Sequence, residues 1–207
     1  MRRQDTRLRP GDLVEVKSAN EILETLDSEG TLDRLPFMPE MVACCGQRFR
    51  VAKRVVKTCY FGLGTGMRSF AADDVVILEG VRCSGTAHDG CQKACNIFWR
   101  EAWQRRVDRI ECGKLVSVES GKQLPSRLKT KTRPMTYFCQ ASEILNATNE
   151  LSRRQRLWRC VAELPSGNCG VIEMGRRIGV WLFWRIRRVL LGPYGRVDPI
   201  NLRSRRA

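Results

Sequence analysis

The chain alternates apolar and polar positions through much of its first half and changes to a helical period near its end. Pro10-Gly11 marks a turn, and Leu13, Val14 and Val16 behind it predict a short strand. Ser18-Ala19-Asn20-Glu21 has the spacing of a capping box and opens a short helical turn carrying Ile22, Leu23 and Leu26. The stretch 27–39 reads as loop, because Gly30 and the two prolines of LPFMPE exclude a regular helix and a central strand. Two more strands are expected, over RFRVAKRVV from Arg48 and over the β-branched run VVILEGV from Val75. A short strand, a long irregular loop and two further strands fit a small SH3-like β-barrel unit. Gly62, Gly64 and Gly66 lack the Gly-Lys-Ser/Thr ending of a phosphate loop and read as a flexible hairpin connection.

From Asp89 the spacing predicts a helix over about Gly90 to Arg106, the Asp89 carboxylate accepting from the free amides of the first turn. Cys91 and Cys95 then stand at i and i+4 on one face, continued by Phe98 and Ala102. The polar, basic stretch from Gly113 to Pro134 is turn-rich and predicts a linker or surface loop. The expected organisation is α+β: residues 1–112 form the barrel-like unit with its Cys/His-bearing helix, 113–134 link, and 135–207 are basic and mainly helical. In this last region Ile178, Leu182, Phe183, Ile186, Val189 and Leu190 share one helical face. Arg176, Arg177, Arg185, Arg187 and Arg188 share the other, with Trp181 and Trp184 among them. The uninterrupted apolar core, Ile178 to Trp184, is too short to span a bilayer.

Charge sharpens that division. Residues 1–103 hold 15 Lys+Arg against 14 Asp+Glu, and residues 104–207 hold 22 against 8, so nearly all of the net +15 lies in the second half. Such asymmetry points to an anionic partner there, nucleic acid or anionic lipid, or else to a solubilising basic face. No apolar leader is visible in MRRQDTRLRPGDL, so a cytoplasmic protein is expected, with the basic half available for peripheral attachment to a membrane. Ten cysteines in a reducing compartment favour metal ligation or buried thiols over disulfides.

The densest chemistry lies in RCSGTAHDGCQKACNIFWREAW, where Cys83, His88, Cys91 and Cys95 fall within thirteen residues and His88 is the only histidine. Three thiols and an imidazole suffice to close a metal site. Gly85 and Gly90 would let the loop fold back, and the helix start with Arg82 and Lys93 would favour thiolate. The spacing has only the Cys-x3-Cys half of a two-knuckle zinc pattern, and an iron–sulfur centre with three cysteines and one histidine is chemically acceptable. Cys59 and Cys139 are reserve ligands should His88 not serve. Cys44, Cys45, Cys112, Cys160 and Cys169 show no ligand spacing and read as structural.

LPFMPEM, Cys45-Gly46, Lys57-Thr58-Cys59 and the Cys/His segment resemble a group of uncharacterised bacterial proteins that carry an Arg-Cys-Asp-Gly-Ser-Ala-His-like stretch in this place. The similarity covers most of residues 10–105 and, more loosely, 137–170, and it implies no particular activity. Cys83-Ser84-Gly85-Thr86-Ala87-His88 also resembles the Cys-Asp-Gly-Ser-His core of the CDGSH iron–sulfur proteins, whose cysteine and histidine ligate a two-iron cluster. Ser84 stands in place of the aspartate, Ala87 is an extra residue, and the upstream Cys-x-Cys pair is missing. The resemblance therefore implies only that Cys83 and His88 are ligands.

The expectation is a metal-cofactor-binding accessory protein, holding zinc or an iron–sulfur centre. The alternative is a nucleic-acid-binding or anionic-membrane-surface adaptor whose thiols are structural; a protein partner is a further option, and no small-molecule substrate is implied. Catalysis ranks last, since no general base stands beside an oriented nucleophile in the Cys/His stretch.

Overall fold

The computed structural model describes residues 7–60, 66–107, 128–133 and 136–191. Its architecture is mixed α+β with antiparallel sheets, and the chain divides into two compact units at Asn168/Cys169.

The first unit is organised around β1 (Leu13–Val16), in which Val14 and Val16 are fully buried while Leu13 and Glu15 alternate outward. Ser18 then caps α1 (Ala19–Leu23): its hydroxyl accepts from Glu21 N–H, and the Glu21 carboxylate accepts from Ser18 N–H. The irregular stretch that follows holds a minimal hairpin of β2 (Thr31–Leu32) and β3 (Leu35–Pro36), then the single turn α2 (Pro39–Val42). β4 (Arg48–Arg54) returns antiparallel to β1 with Val14 opposite Phe49. A hairpin of β5 (Thr58–Tyr60) and β6 (Gly66–Phe70) pairs Tyr60 with Gly66. Gly62 and Gly64 lie outside the described residues.

β7 (Val75–Leu78) pairs with β4, and β8 (Trp99–Arg100) with β7. A 3₁₀ turn, Glu101–Trp103, leads into β9 (Gln104–Arg106), which pairs with β1. The order β8-β7-β4-β1-β9 places the turn between the two edge strands. Three residues of 3₁₀ helix advance only about 6 Å, so the sheet must curl until its edges approach each other. No ladder joins β8 to β9 among the described residues, and the expected barrel is not formed as a closed one.

The expected helix over Gly90 to Arg106 is not formed. Ile97 and Trp99 are buried with strand periodicity, and Trp99 is opposite Val76. Burying these large side chains against the sheet outweighs the local capping signal, as tertiary context routinely does. Trp99 and Trp103, both fully buried, meet Phe37 edge-on at 6.3 and 5.2 Å, and Trp103 Nε1 donates to Thr25 Oγ1 at 3.1 Å. Arg100 is buried beside them, paired with Asp74 at 2.6 Å.

Of the expected linker, residues 113–127 and 134 lie outside the described residues. β10 (Lys131–Arg133) and β11 (Thr136–Tyr137) pair antiparallel. α3 (Gln140–Ala147) begins at buried Gln140, which accepts from Phe98 N–H and donates to Phe98 O and Pro36 O. β12 (Thr148–Glu150) pairs with β6 at Thr148 and Phe70, and α4 (Arg153–Val161) follows a second capping box at Ser152. The second unit holds α5 (Val171–Leu191), of 21 residues. No helix among the described residues is long and apolar enough to cross a membrane.

Candidate metal centre

Residues 82–96 form a loop closed at its neck. Arg82 bridges Asn96, and Cys83 N–H donates to Cys95 O at 3.0 Å. Inside it, the N–H groups of His88 and Gly90 both donate to Gly85 O, at 2.9 and 3.0 Å, and Cys91 N–H donates to His88 O at 3.1 Å. Gly85 has φ +73°, and a Cβ there would lie 2.1 Å from Cys91 O, so only glycine fits. Asp89 and Ala94 are also left-handed, at φ 50° and 45°, a conformation that excludes a helix starting at Gly90. Asp89 is accordingly no helix cap. Its carboxylate accepts from the Tyr137 hydroxyl and pairs with Lys131 at 3.5 Å; these two partners, Tyr137 foremost, hold it below the usual carboxylate range.

The tight turns direct His88 inward, where its side chain is 3% exposed. On the facing side, α2 carries Glu40 between Met38 and Met41, both buried, and the carboxylate is drawn in with them to 2% exposure. His88 Nδ1 lies 2.7 Å from Glu40 Oε1 and Nε2 lies 3.3 Å from Phe138 O. Oε1 also accepts from Ala87 N–H at 3.2 Å, and the Cys83 thiol approaches it to 3.9 Å. Tyr137 stands edge-on to the imidazole at 5.7 Å. Burial pushes the Cys83 thiol up; Gly85 N–H opposes this, while Glu40, Cys95 and Cys139 add to it. The sequence-based expectation of a thiol lowered by a helix start is thereby corrected.

Two features make this more than a buried hydrogen-bonded pair. The donor atoms of Glu40, Cys83 and His88 all lie within 4.8 Å of one another. Glu40 Oε2 is buried with no hydrogen-bond partner among the described residues, and a buried carboxylate oxygen left unpaired costs of order 1–3 kcal/mol or more. A neutral imidazole carries one N–H: on Nδ1 it donates to Glu40 Oε1, and on Nε2 it donates to Phe138 O and leaves the Nδ1 lone pair for an ion shared with Glu40. Anchoring through the second nitrogen to a backbone carbonyl is how a metal-bound histidine is usually oriented. The three side chains could thus hold a metal ion, with sulfur, nitrogen and oxygen donors.

Of the residues expected at the site, Cys83 and His88 come together. Cys95 and Cys139 lie near enough to act on the Cys83 thiol but outside the three-residue group. Cys91 is exposed and acts on Tyr137, and Cys59 is exposed in β5, opposite Met67. With no helix beneath them, Cys91 and Cys95 do not share a helical face. Burial pushes the Cys44 and Cys45 thiols up, Cys45 to about 11, and Lys57 Nζ donates to Cys160 Sγ at 3.3 Å. Cys169 is buried, and Cys112 lies outside the described residues. Glu40 and the Phe138 carbonyl were not anticipated. One sign of Glu40 was available: it is the lone acid in the apolar run LPFMPEM, and a buried acid needs a partner.

The chain matches no family model, no curated protein and no solved structure.

Proposed function

We propose that this protein is a metal-binding accessory protein in which Glu40, Cys83 and His88 hold a single divalent ion, zinc before iron. The observation that carries the reading is the orphaned Glu40 Oε2 beside a thiol and an anchored imidazole. A doubly charged cation would neutralise a thiolate and a carboxylate together, which accounts for an acid buried so deeply. Convergence of three donors, one of them a carboxylate, suits one ion better than an iron–sulfur cluster held by thiolates. Cys95 and Cys139, near enough to act on the Cys83 thiol, are the candidates for a fourth donor. The strand order, with a 3₁₀ turn between the two edge strands, supports an SH3-like scaffold around the site. A thiol nucleophile is less well supported, because the imidazole nitrogen turned away from Glu40 faces a carbonyl and not Cys83.

Metal analysis of the full chain, with cobalt(II) absorption as a probe of thiolate ligation, tests this. Stoichiometric metal is expected in the wild type and in Cys59→Ser and Cys91→Ser, with affinity falling at least tenfold in Glu40→Gln, Cys83→Ser and His88→Gln. Metal-free protein whose melting temperature does not respond to added zinc or iron would sink the proposal.

A further inference from the structure

We infer that α5 docks on an anionic lipid surface, lying along it and not through it. The apolar side chains of this helix are exposed along its length: Ile178 by 50%, Leu182 by 44%, Phe183 by 60%, Ile186 by 55% and Val189 by 77%. At 100° per residue they and Leu190 fill an arc of about 140°. Five arginines and the single acid Glu173 lie in the remainder, with Met174, Val180, Trp181 and Trp184 among them.

The breadth of the apolar arc discriminates between occupants. A second copy of the helix would be met through a narrower seam of a and d positions. Nucleic acid would engage the arginines through phosphate and leave the isoleucine, leucine and phenylalanine side chains in water. A bilayer interface covers both faces at once, because acyl chains take the apolar arc while arginine stems reach back to lipid phosphates. Arg185 lies over the Trp181 ring at 5.2 Å and Arg187 over the Trp184 ring at 5.1 Å, so guanidinium and indole groups are already paired at the depth where headgroups meet hydrocarbon. Arg176 and Arg177 are engaged by Glu173 at 2.8 and 2.9 Å, which leaves Arg185, Arg187 and Arg188 as the principal source of attraction to negative charge. The inference is independent of the metal reading, since it uses only α5.

Flotation of the full chain with vesicles of phosphatidylcholine, alone or mixed with phosphatidylserine, tests it. Binding is expected only to the mixed vesicles and is expected to fall with salt. Arg187→Gln with Arg188→Gln should lower partitioning about 30-fold at low salt, roughly fivefold per charge, and Leu182→Asp with Ile186→Asp should abolish flotation. Leu182, Ile186 and Arg188 are exposed and Arg187 is half-buried over the Trp184 ring, within the helix itself, so circular dichroism of both variants should match the wild type. Absence of flotation overturns the inference, as does flotation that survives the aspartates. Polynucleotide binding without flotation would assign the arginines to nucleic acid, and a dimer without flotation, dispersed by Leu182→Asp, would assign the face to a second copy.

Discussion

The loop around His88 and the helix Val171–Leu191 treat their difficult groups in opposite ways. At the loop, charged and polar side chains are drawn into a protein interior and are matched there by partners distant in sequence, Glu40 and Phe138 among them. At the helix, large apolar side chains stand in solvent, and nothing among the described residues of their own unit covers them. A buried carboxylate with an unpaired oxygen and an uncovered apolar face both carry a free-energy cost, the carboxylate a larger one than the unpaired Trp99 Nε1 or Gln104 Oε1. In the readings proposed above, a cation would answer the first and a lipid surface the second.

The largest expected contrast concerns stability. Trp103→Ala removes a fully buried ring packed on Phe37 and should cost about 3–5 kcal/mol, read as a lower denaturant midpoint. Leu182→Ala should stay within about 0.5 kcal/mol by the same measurement. Equal losses would mean that α5 contributes to the core, and the comparison would collapse.

Glycine replacements sharpen the loop side. Gly90 has φ +74° with open space around its missing side chain, so Gly90→Ala should cost only the left-handed strain, about 1–2 kcal/mol. Gly85→Ala adds a collision with the Cys91 backbone to the same strain and should cost at least about 1 kcal/mol more. Thermal melts of the two variants, side by side, check the ordering.

What could be read from the chain follows the range of the interactions. β1, α1, β4, β7 and the amphipathic face of α5 rest on periodicities and caps within a few residues, and they were foreseeable. The segment after Asp89 misled because a plausible cap and an i, i+4 cysteine pair are local, whereas the claim of Ile97 and Trp99 on the sheet is not. Cys83 and His88 were found because they are five residues apart. Glu40 escaped because it meets them across more than forty residues.

The smallest expected effect is electrostatic. Burial pushes the Asp27 carboxyl up, but the Thr31 hydroxyl and the N–H groups of Thr31 and Glu29 together outweigh it and hold the folded value down. A depressed carboxylate stabilises above its unfolded pKa, near 4, and that contribution fades as pH falls through the folded value. Asp27→Asn should therefore be less stable than wild type at neutral pH, and the gap should narrow below about pH 4 in denaturant titrations. A gap independent of pH would assign the effect to loop geometry instead.

The contact between Glu40 and His88 closes a ring 48 residues around in the chain. A bond made there by an ion would act as a removable cross-link, restricting the unfolded chain much as a disulfide does and vanishing on chelation. Susceptibility of the first unit to proteases would then report the metal supply of its surroundings, and the protein's lifetime would follow that supply.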